Sequence, residues 1–278
     1  STLGLTNEFG TSIDCTGSTD FDGPQAYYSF TAQAGKFYDF SVTPTFSGRA
    51  YIFPASAGCS STSTPNINAA CGSNGDTGFY TTSDISANGT EEFVFKPTTP
   101  GNYIVVIDST APTTYGDFAM TVEEKDAPSN DTCAAATPLS FTAGKATVTA
   151  TTKGAGNEHG TSIDCTGTTD YAGPQVYYSF NALADKGYKI SLSPSFSSYF
   201  YVFAQSRCGG PTSGINADCG SEGISGATKF TSSAGTILFK PATPGPFIIA
   251  VDSSSMSNVG DFTLTVEDLP PVGNDTCA

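Results

Sequence analysis

Tryptophan is absent, methionine occurs twice and histidine once, as His159. One histidine allows at most one Ser-His-Asp triad, and nothing marks its serine. His159 also stands where a sister segment carries Phe9, which argues against a shared catalytic base. Basic residues are scarce: 11 Lys and Arg face 26 Asp and Glu, a formal net charge of −15. Phosphate backbones are bound by clustered Lys and Arg, so a nucleic-acid partner is not expected. No stretch approaches the roughly 18–20 apolar residues of a membrane span. Cys-x-x-Cys, Gly-x-Ser-x-Gly, His-Glu-x-x-His and phosphate loops are all missing. Carboxylates are numerous enough for a paired-acid hydrolase, but the short strand repeats leave no obvious long active-site loop. The chain is therefore expected not to be an enzyme and to need no cofactor. It opens on Ser1 without an initiator Met or signal peptide, as a processed or excerpted chain does.

What is present argues for a folded, extracellular protein. The 20 Phe and 13 Tyr are far from the aromatic-poor composition of disorder. Eight Cys in two similar sets suit disulfides rather than zinc, and hence an oxidising compartment. The expected location is extracellular or cell-surface.

The sequence also repeats itself. Gly-Thr-Ser-Ile-Asp-Cys at 10–15 returns at 160–165, and Gly-Pro-Gln-x-Tyr-Tyr-Ser-Phe at 23–30 returns at 173–180. Phe-Lys-Pro-x-Thr-Pro-Gly at 95–101 returns at 239–245, and Asn-Asp-Thr-Cys-Ala at 130–134 returns at 274–278. This organisation predicts a first repeat over 1–127, a second over 128–272, and the start of a further repeat or an inter-subunit joint at 273–278. Ser1 aligns with Thr151, so the first repeat lacks a counterpart of residues 135–150.

Apolar residues alternate with period two. Residues 103–108 and 247–252 read as buried strands, and 117–122 and 261–266 as half-exposed ones. Segments 188–192 and 200–203 add two more. Leu139–Thr142, Ala-Gly and Lys145–Thr149 read as a hairpin. No segment keeps a 3.6-residue pattern over three turns. The fold class is all-β: two tandem β-sandwich domains, jelly-roll-like.

Cys59 and Cys71 flank a short loop, as do Cys208 and Cys219. One bridge across each is expected, each stabilising its domain by roughly 3 kcal/mol. Cys133 is expected to pair with Cys165 around the hairpin. Cys15 and Cys277 are then left over. They bond between successive molecules, belong to an excised array whose partners were cut off, or meet internally; a disulfide between them requires Cα atoms within ~7 Å. The missing hairpin leaves a sheet edge in the first repeat that a neighbour could fill by β-augmentation, unless the first six residues cover it or it frays.

Oxygen ligands recur in both repeats: Asn7 and Glu8 with Asn157 and Glu158, Asp14 with Asp164, Asp20 with Asp170, Asp108 with Asp252, and Asp117 with Asp261. Calcium is the metal such loop oxygens suit; solvated turn aspartates are the alternative. Asn88, Asn130 and Asn274 open glycosylation sequons, though chance matches are common in such a chain. One Tyr of each pair, Tyr27–Tyr28 and Tyr177–Tyr178, is expected to face outward, where it could stack on a sugar.

The order Asn-Asp-Thr-Cys-Ala, Gly-Pro-Gln-x-Tyr-Tyr-Ser-Phe, a Cys…Cys loop, Pro-Gly before an apolar strand, and Gly-Asp-Phe resembles the bacterial pre-peptidase C-terminal domain. The likeness is greatest to its tandem Cys-bearing forms in secreted proteins. The resemblance implies β-sandwich accessory modules, some of which bind calcium, collagen or polysaccharide. Gln25 and Gln175 stand where that family commonly carries an acid, which weakens transfer of a calcium site. The reading is a non-enzymatic extracellular structural protein, the subunit of a head-to-tail filament or stalk whose partner is itself. The alternative is a polysaccharide- or protein-binding accessory module of a secreted hydrolase or adhesin.

Overall fold

The structure is a computed structural model that describes residues 1–9, 22–58, 64–72, 82–97, 99–165, 171–183, 186–220 and 227–269. The fold is all-β, and the chain divides into two compact units, Ser1–Ala127 and Pro128–Ala278. In unit 1, β1 (Gln25–Ala32), β2 (Lys36–Pro44) and β3 (Gly48–Pro54) precede helix α1 (Thr64–Gly72). Then come β4 (Thr82–Ile85), β5 (Glu91–Phe95), β6 (Gly101–Ser109) and β7 (Phe118–Asp126). They form one sheet of order β1-β6-β3-β4 and another of order β5-β2-β7.

Unit 2 opens with β8 (Thr137–Pro138) and β9 (Lys145–Thr151), followed by β10 (Gln175–Ala182), β11 (Tyr188–Pro194) and β12 (Ser198–Ala204). Helix α2 (Thr212–Cys219) leads into β13 (Ala227–Thr231), β14 (Gly235–Phe239), β15 (Gly245–Ser253) and β16 (Asp261–Asp268). Its sheets have the orders β13-β12-β15-β10-β8 and β14-β11-β16-β9.

Pairing and periodicity account for the core of unit 2. Val176, Tyr178 and Phe180 of β10, Val251 and Ile249 of β15, and Leu264 and Val266 of β16 meet in one buried cluster between the sheets. The alternate residues point the other way, as strand geometry requires. Tyr177, Tyr201, Phe203, Ile248 and Ala250 pack with Ile215 of α2 and the cysteines on the opposite face. Both faces of this sheet are therefore dry. That explains why residues 247–252 form an unbroken apolar run while 261–266 alternates.

The expected hairpin over 139–149 is corrected by the structure. Thr142 and Lys145 do close a tight turn, with Lys145 N–H donating to Thr142 O at 3.1 Å and Thr142 N–H to Lys145 O at 2.8 Å. Ala143 and Gly144 both have positive φ, +50° and +78°, as a two-residue turn with primed geometry demands. The limbs, however, join different sheets. β8 runs parallel to β10, and β9 runs antiparallel to β16 over seven residue pairs. The segment is a clasp that closes one flank of both sheets at once, so period-two patterning alone could not show its two destinations.

The expected disulfide pairing is also corrected. Cys133 bonds Cys208 and Cys165 bonds Cys219, in place of Cys208–Cys219 and Cys133–Cys165. Helix α2 is the reason. It occupies most of the interval between Cys208 and Cys219 and presents the two sulfurs to different partners, Cys133 and Cys165, within one buried cluster. Cys219 at its end is turned into the core. Cys71 is also disulfide-bonded. Cys15, Cys59 and Cys277 lie outside the described residues, so the expected Cys59–Cys71 bridge and the Cys15–Cys277 alternatives fall there.

The repeated Gly-Pro-Gln motif has a steric cause. A Cβ on Gly173 would lie 2.1 Å from the backbone oxygen of Ser253, and one on Gly23 would lie 2.3 Å from that of Ser109. Backbone cannot yield as a side chain can. Gly173→Ala should therefore destabilise unit 2 by at least about 2 kcal/mol, in the range of other overpacking changes. Thermal unfolding checks this; a midpoint unchanged within a degree refutes it.

Candidate functional site

Comparing the two units locates the site. Among the described residues of unit 1, nothing takes the place of the clasp, so β1 and β7 are edge strands. Their apolar side chains follow suit. Tyr28 is 43% exposed where its counterpart Tyr178 is 3% exposed, and Val122 is 40% exposed where Val266 is fully buried. Phe118 and Met120 are half-buried where Phe262 and Leu264 are buried. Leu5 is 45% exposed at the position of fully buried Ala155. The rings on this flank are already arranged as in unit 2: Tyr28 meets Phe118 edge-on at 6.0 Å, as Tyr178 meets Phe262 at 6.2 Å. Unit 1 thus presents a formed apolar flank between two open sheet edges, the arrangement that accepts an added strand.

Unit 2 shows how such a flank is filled. Leu139, Ala146, Val148 and Ala150 of the clasp pack over the core. Its leading residues are pinned by polar contacts. Tyr177 N–H donates to Asn130 O at 2.9 Å, and Asn130 Nδ2 donates to Tyr177 O at 2.8 Å. Gly156 N–H donates to Asp131 Oδ2 at 3.2 Å, and Cys133 N–H donates to Glu158 Oε2 at 2.7 Å. The Cys133–Cys208 bond locks the segment in place. Asn130, Asp131 and Cys133 therefore anchor the clasp within unit 2.

Each unit also buries a polar cluster. In unit 2, Gln175 Nε2 and the Tyr201 hydroxyl donate to Asp252 Oδ2, each at 3.1 Å, while the Tyr177 hydroxyl donates to Gln175 Oε1 at 3.2 Å. Unit 1 repeats this with Gln25, Tyr51 and Tyr27 around Asp108, at 2.9, 3.2 and 2.6 Å. Burial pushes the Asp108 carboxyl up to about 7; hydrogen bonds from Gln25 and Tyr51 pull it down, and the nearby charge of Asp22 pushes it further up. Asp252 is raised well above its usual range, again chiefly by burial. The Oδ1 atoms of both aspartates lack a hydrogen-bond partner. Sequence reasoning placed Gln25 and Gln175 as departures from an acidic pattern. In fact, they are the donors that hold these two aspartates.

These positions bear on the calcium expectation. Asp108 and Asp252 lie in the cores, ringed at one oxygen by N–H and O–H donors rather than by other acids. Asp117 and Asp261 are exposed at the starts of β7 and β16. Glu8 and Glu158 each donate a backbone N–H to a glutamine side chain, at 3.1 and 3.0 Å. Asn157 Oδ1 accepts from Gln175 Nε2 at 3.1 Å, Asn7 Oδ1 is buried without a partner, and Asp164 N–H donates to Asn216 Oδ1 at 3.1 Å. Asp14, Asp20 and Asp170 lie outside the described residues. Among the described residues no three His, Cys, Asp or Glu side chains stand close enough to hold a metal.

His159 packs edge-on against Tyr177 at 6.2 Å, as Phe9 packs against Tyr27 at 5.7 Å. Burial lowers its basicity, and the nearby Glu158 carboxylate partly restores it. It serves as a ring in the core. The outward tyrosine expected of unit 2 is absent, since Tyr177 and Tyr178 are both buried.

No family model matches the chain, and no curated protein matches it. Solved structures similar to it include the PBSX exported protein XepA, with 11% identity over 87% of this chain and 82% of that one at a TM-score of 0.22. Others are the ANXUR1 extracellular domain of Arabidopsis thaliana (12% identity, 90% and 82% covered, TM-score 0.21) and the T=1 Penaeus vannamei nodavirus (10%, 87% and 82%, TM-score 0.21). Likenesses this distant carry no argument. Disulfides of the kind present belong to oxidising compartments outside the cytoplasm. Among the described residues no helix is long and apolar enough to cross a membrane.

Proposed function

We propose that this is a non-enzymatic extracellular structural protein that assembles with copies of itself through the open flank of unit 1. The observation that carries the reading is the paired exposure of Tyr28 and Val122, whose counterparts Tyr178 and Val266 are covered by a clasp. Apolar surface at two open sheet edges favours association, at roughly 25 cal/mol for each Å² covered, and strand addition satisfies the edge hydrogen bonds as well. The repeated strand pattern resembling pre-peptidase C-terminal domains is compatible with a secreted repeat protein of bacterial type.

Sedimentation of the purified chain over a hundredfold concentration range tests this. Multimers that grow with concentration are expected. A strict monomer that instead co-sediments with an insoluble polysaccharide overturns the reading in favour of an accessory binding module.

A further inference from the structure

We infer that Tyr199 and Phe230 of unit 2 form a platform on which one ring of a neutral polysaccharide stacks. The inference goes beyond the assembly reading above and concerns a different unit.

The argument begins with a difference between the repeats. In unit 1, Arg49 of β3 lies across from Asp84 of β4, and their side chains form an ion pair. In unit 2 the same cross-strand place holds Tyr199 of β12 across from Phe230 of β13. Both β4 and β13 are edge strands, so deeper burial in the sheet does not account for the exchange. A charged pair on an edge suits water. The aromatic pair does not: Phe230 is 49% exposed, and Tyr199 is half-buried.

The rings are held from behind. Tyr171 is fully buried and stacks on Tyr199 at 3.8 Å, with the two planes 16° apart. The Tyr171 hydroxyl lies 3.3 Å from Thr228 Oγ1 of β13. Phe230 lies beyond Tyr199 at 5.0 Å, tilted by 52°. A platform fixed in this way loses little freedom on binding.

Size, charge and polarity choose the occupant. An aromatic side chain covers roughly 150–250 Å², so two half-open rings offer on the order of 200 Å². Each partner in a stable protein interface contributes roughly 800 Å², which this surface does not approach; a single ring-sized ligand fits it. The platform carries no charged side chain. Lys229, the neighbour of Phe230, points to the opposite face of β13, across from Phe200. Aromatic faces are partially negative and attract the C–H bonds on one face of a pyranose. The hydroxyls of Tyr199 and Thr228 border the rings, and each can donate to and accept from a sugar hydroxyl.

Native electrophoresis of the full chain through gels containing hydroxyethylcellulose, soluble starch, laminarin or galactomannan tests this. Retardation by at least one of these neutral polymers is expected. Phe230→Ala should weaken it about tenfold, the effect of losing one ring contact. The double variant Tyr199→Arg, Phe230→Asp imports the ion pair of unit 1 and should be weakened at least as much, with both variants retaining the native thermal unfolding transition. Val122→Lys, on the flank of unit 1, should be retarded as strongly as the native chain, which separates this surface from assembly. Failure of all four polymers to retard the native chain overturns the inference, and so does equal retardation of native chain and Phe230→Ala. Loss of multimers in Phe230→Ala without retardation of the native chain also overturns it and makes the pair a contact between copies.

Discussion

Raising the pH from 4 to 8 weakens the fold by several kcal/mol, and Asp108→Asn removes much of that loss from unit 1. An unfolded aspartate releases its proton near 3.9, whereas folded Asp108 holds it to about 7. Between those values the folded state binds more protons than the unfolded one, so stability falls as pH rises. The contribution is full below the unfolded value and is lost as pH passes the folded one. A displacement of about three pH units corresponds to about 4 kcal/mol. Asp252 acts in the same direction in unit 2. Asparagine keeps an oxygen for Gln25 Nε2 and the Tyr51 hydroxyl without a charge to bury. Urea unfolding at pH 4, 6 and 8 should show a steep decline for the native chain and a flatter one for the variant. Parallel curves would refute this account of the buried clusters.

Removing the Cys133–Cys208 bridge by a double Ser replacement costs unit 2 about 4 kcal/mol, and removing Cys165–Cys219 costs about as much. The bridges close intervals of 75 and 54 residues, and chain entropy lost from the unfolded state grows with the logarithm of the interval. The pairs expected from spacing alone would have enclosed shorter loops. The effects differ in kind as well. Loss of Cys133–Cys208 frees the clasp, so Tyr178 and Val266 become reachable as Tyr28 and Val122 are in unit 1. Hydrogen exchange along β16 should rise in that variant and remain slow in the Cys165→Ser, Cys219→Ser variant. Equal protection of β16 in both would contradict the role given to the clasp.

Much of the strand pattern was legible in the sequence because burial imposes a period on it. The runs at 103–108 and 247–252 became β6 and β15, and the alternating runs at 117–122 and 261–266 fell within or across the start of β7 and β16. The disulfides were not legible, because the short helix α2 between Cys208 and Cys219 lacks a helical apolar period. A helix under three turns leaves too few positions for one. The split clasp was hidden for a related reason: alternation shows that a segment is a strand but not which sheet it joins. The buried Asp108 and Asp252 read as surface ligands because an aspartate after an apolar run most often marks a turn. The common Gln and Tyr at matching places in both repeats carried the signal for their true setting. The open flank could be found only by comparing the two copies. Tyr28 and Tyr178 are identical in sequence and differ in what covers them.

The most direct test of the central claim is sedimentation of the native chain beside Val122→Lys. Val122 lies on the open flank and is 40% exposed, so lysine there should cost the fold little, about 0.5 kcal/mol or less. A charge on an open edge blocks strand addition. The account predicts concentration-dependent multimers for the native chain and a monomer of unchanged thermal stability for the variant. Multimers of equal size in both would place assembly elsewhere on the molecule and contradict it.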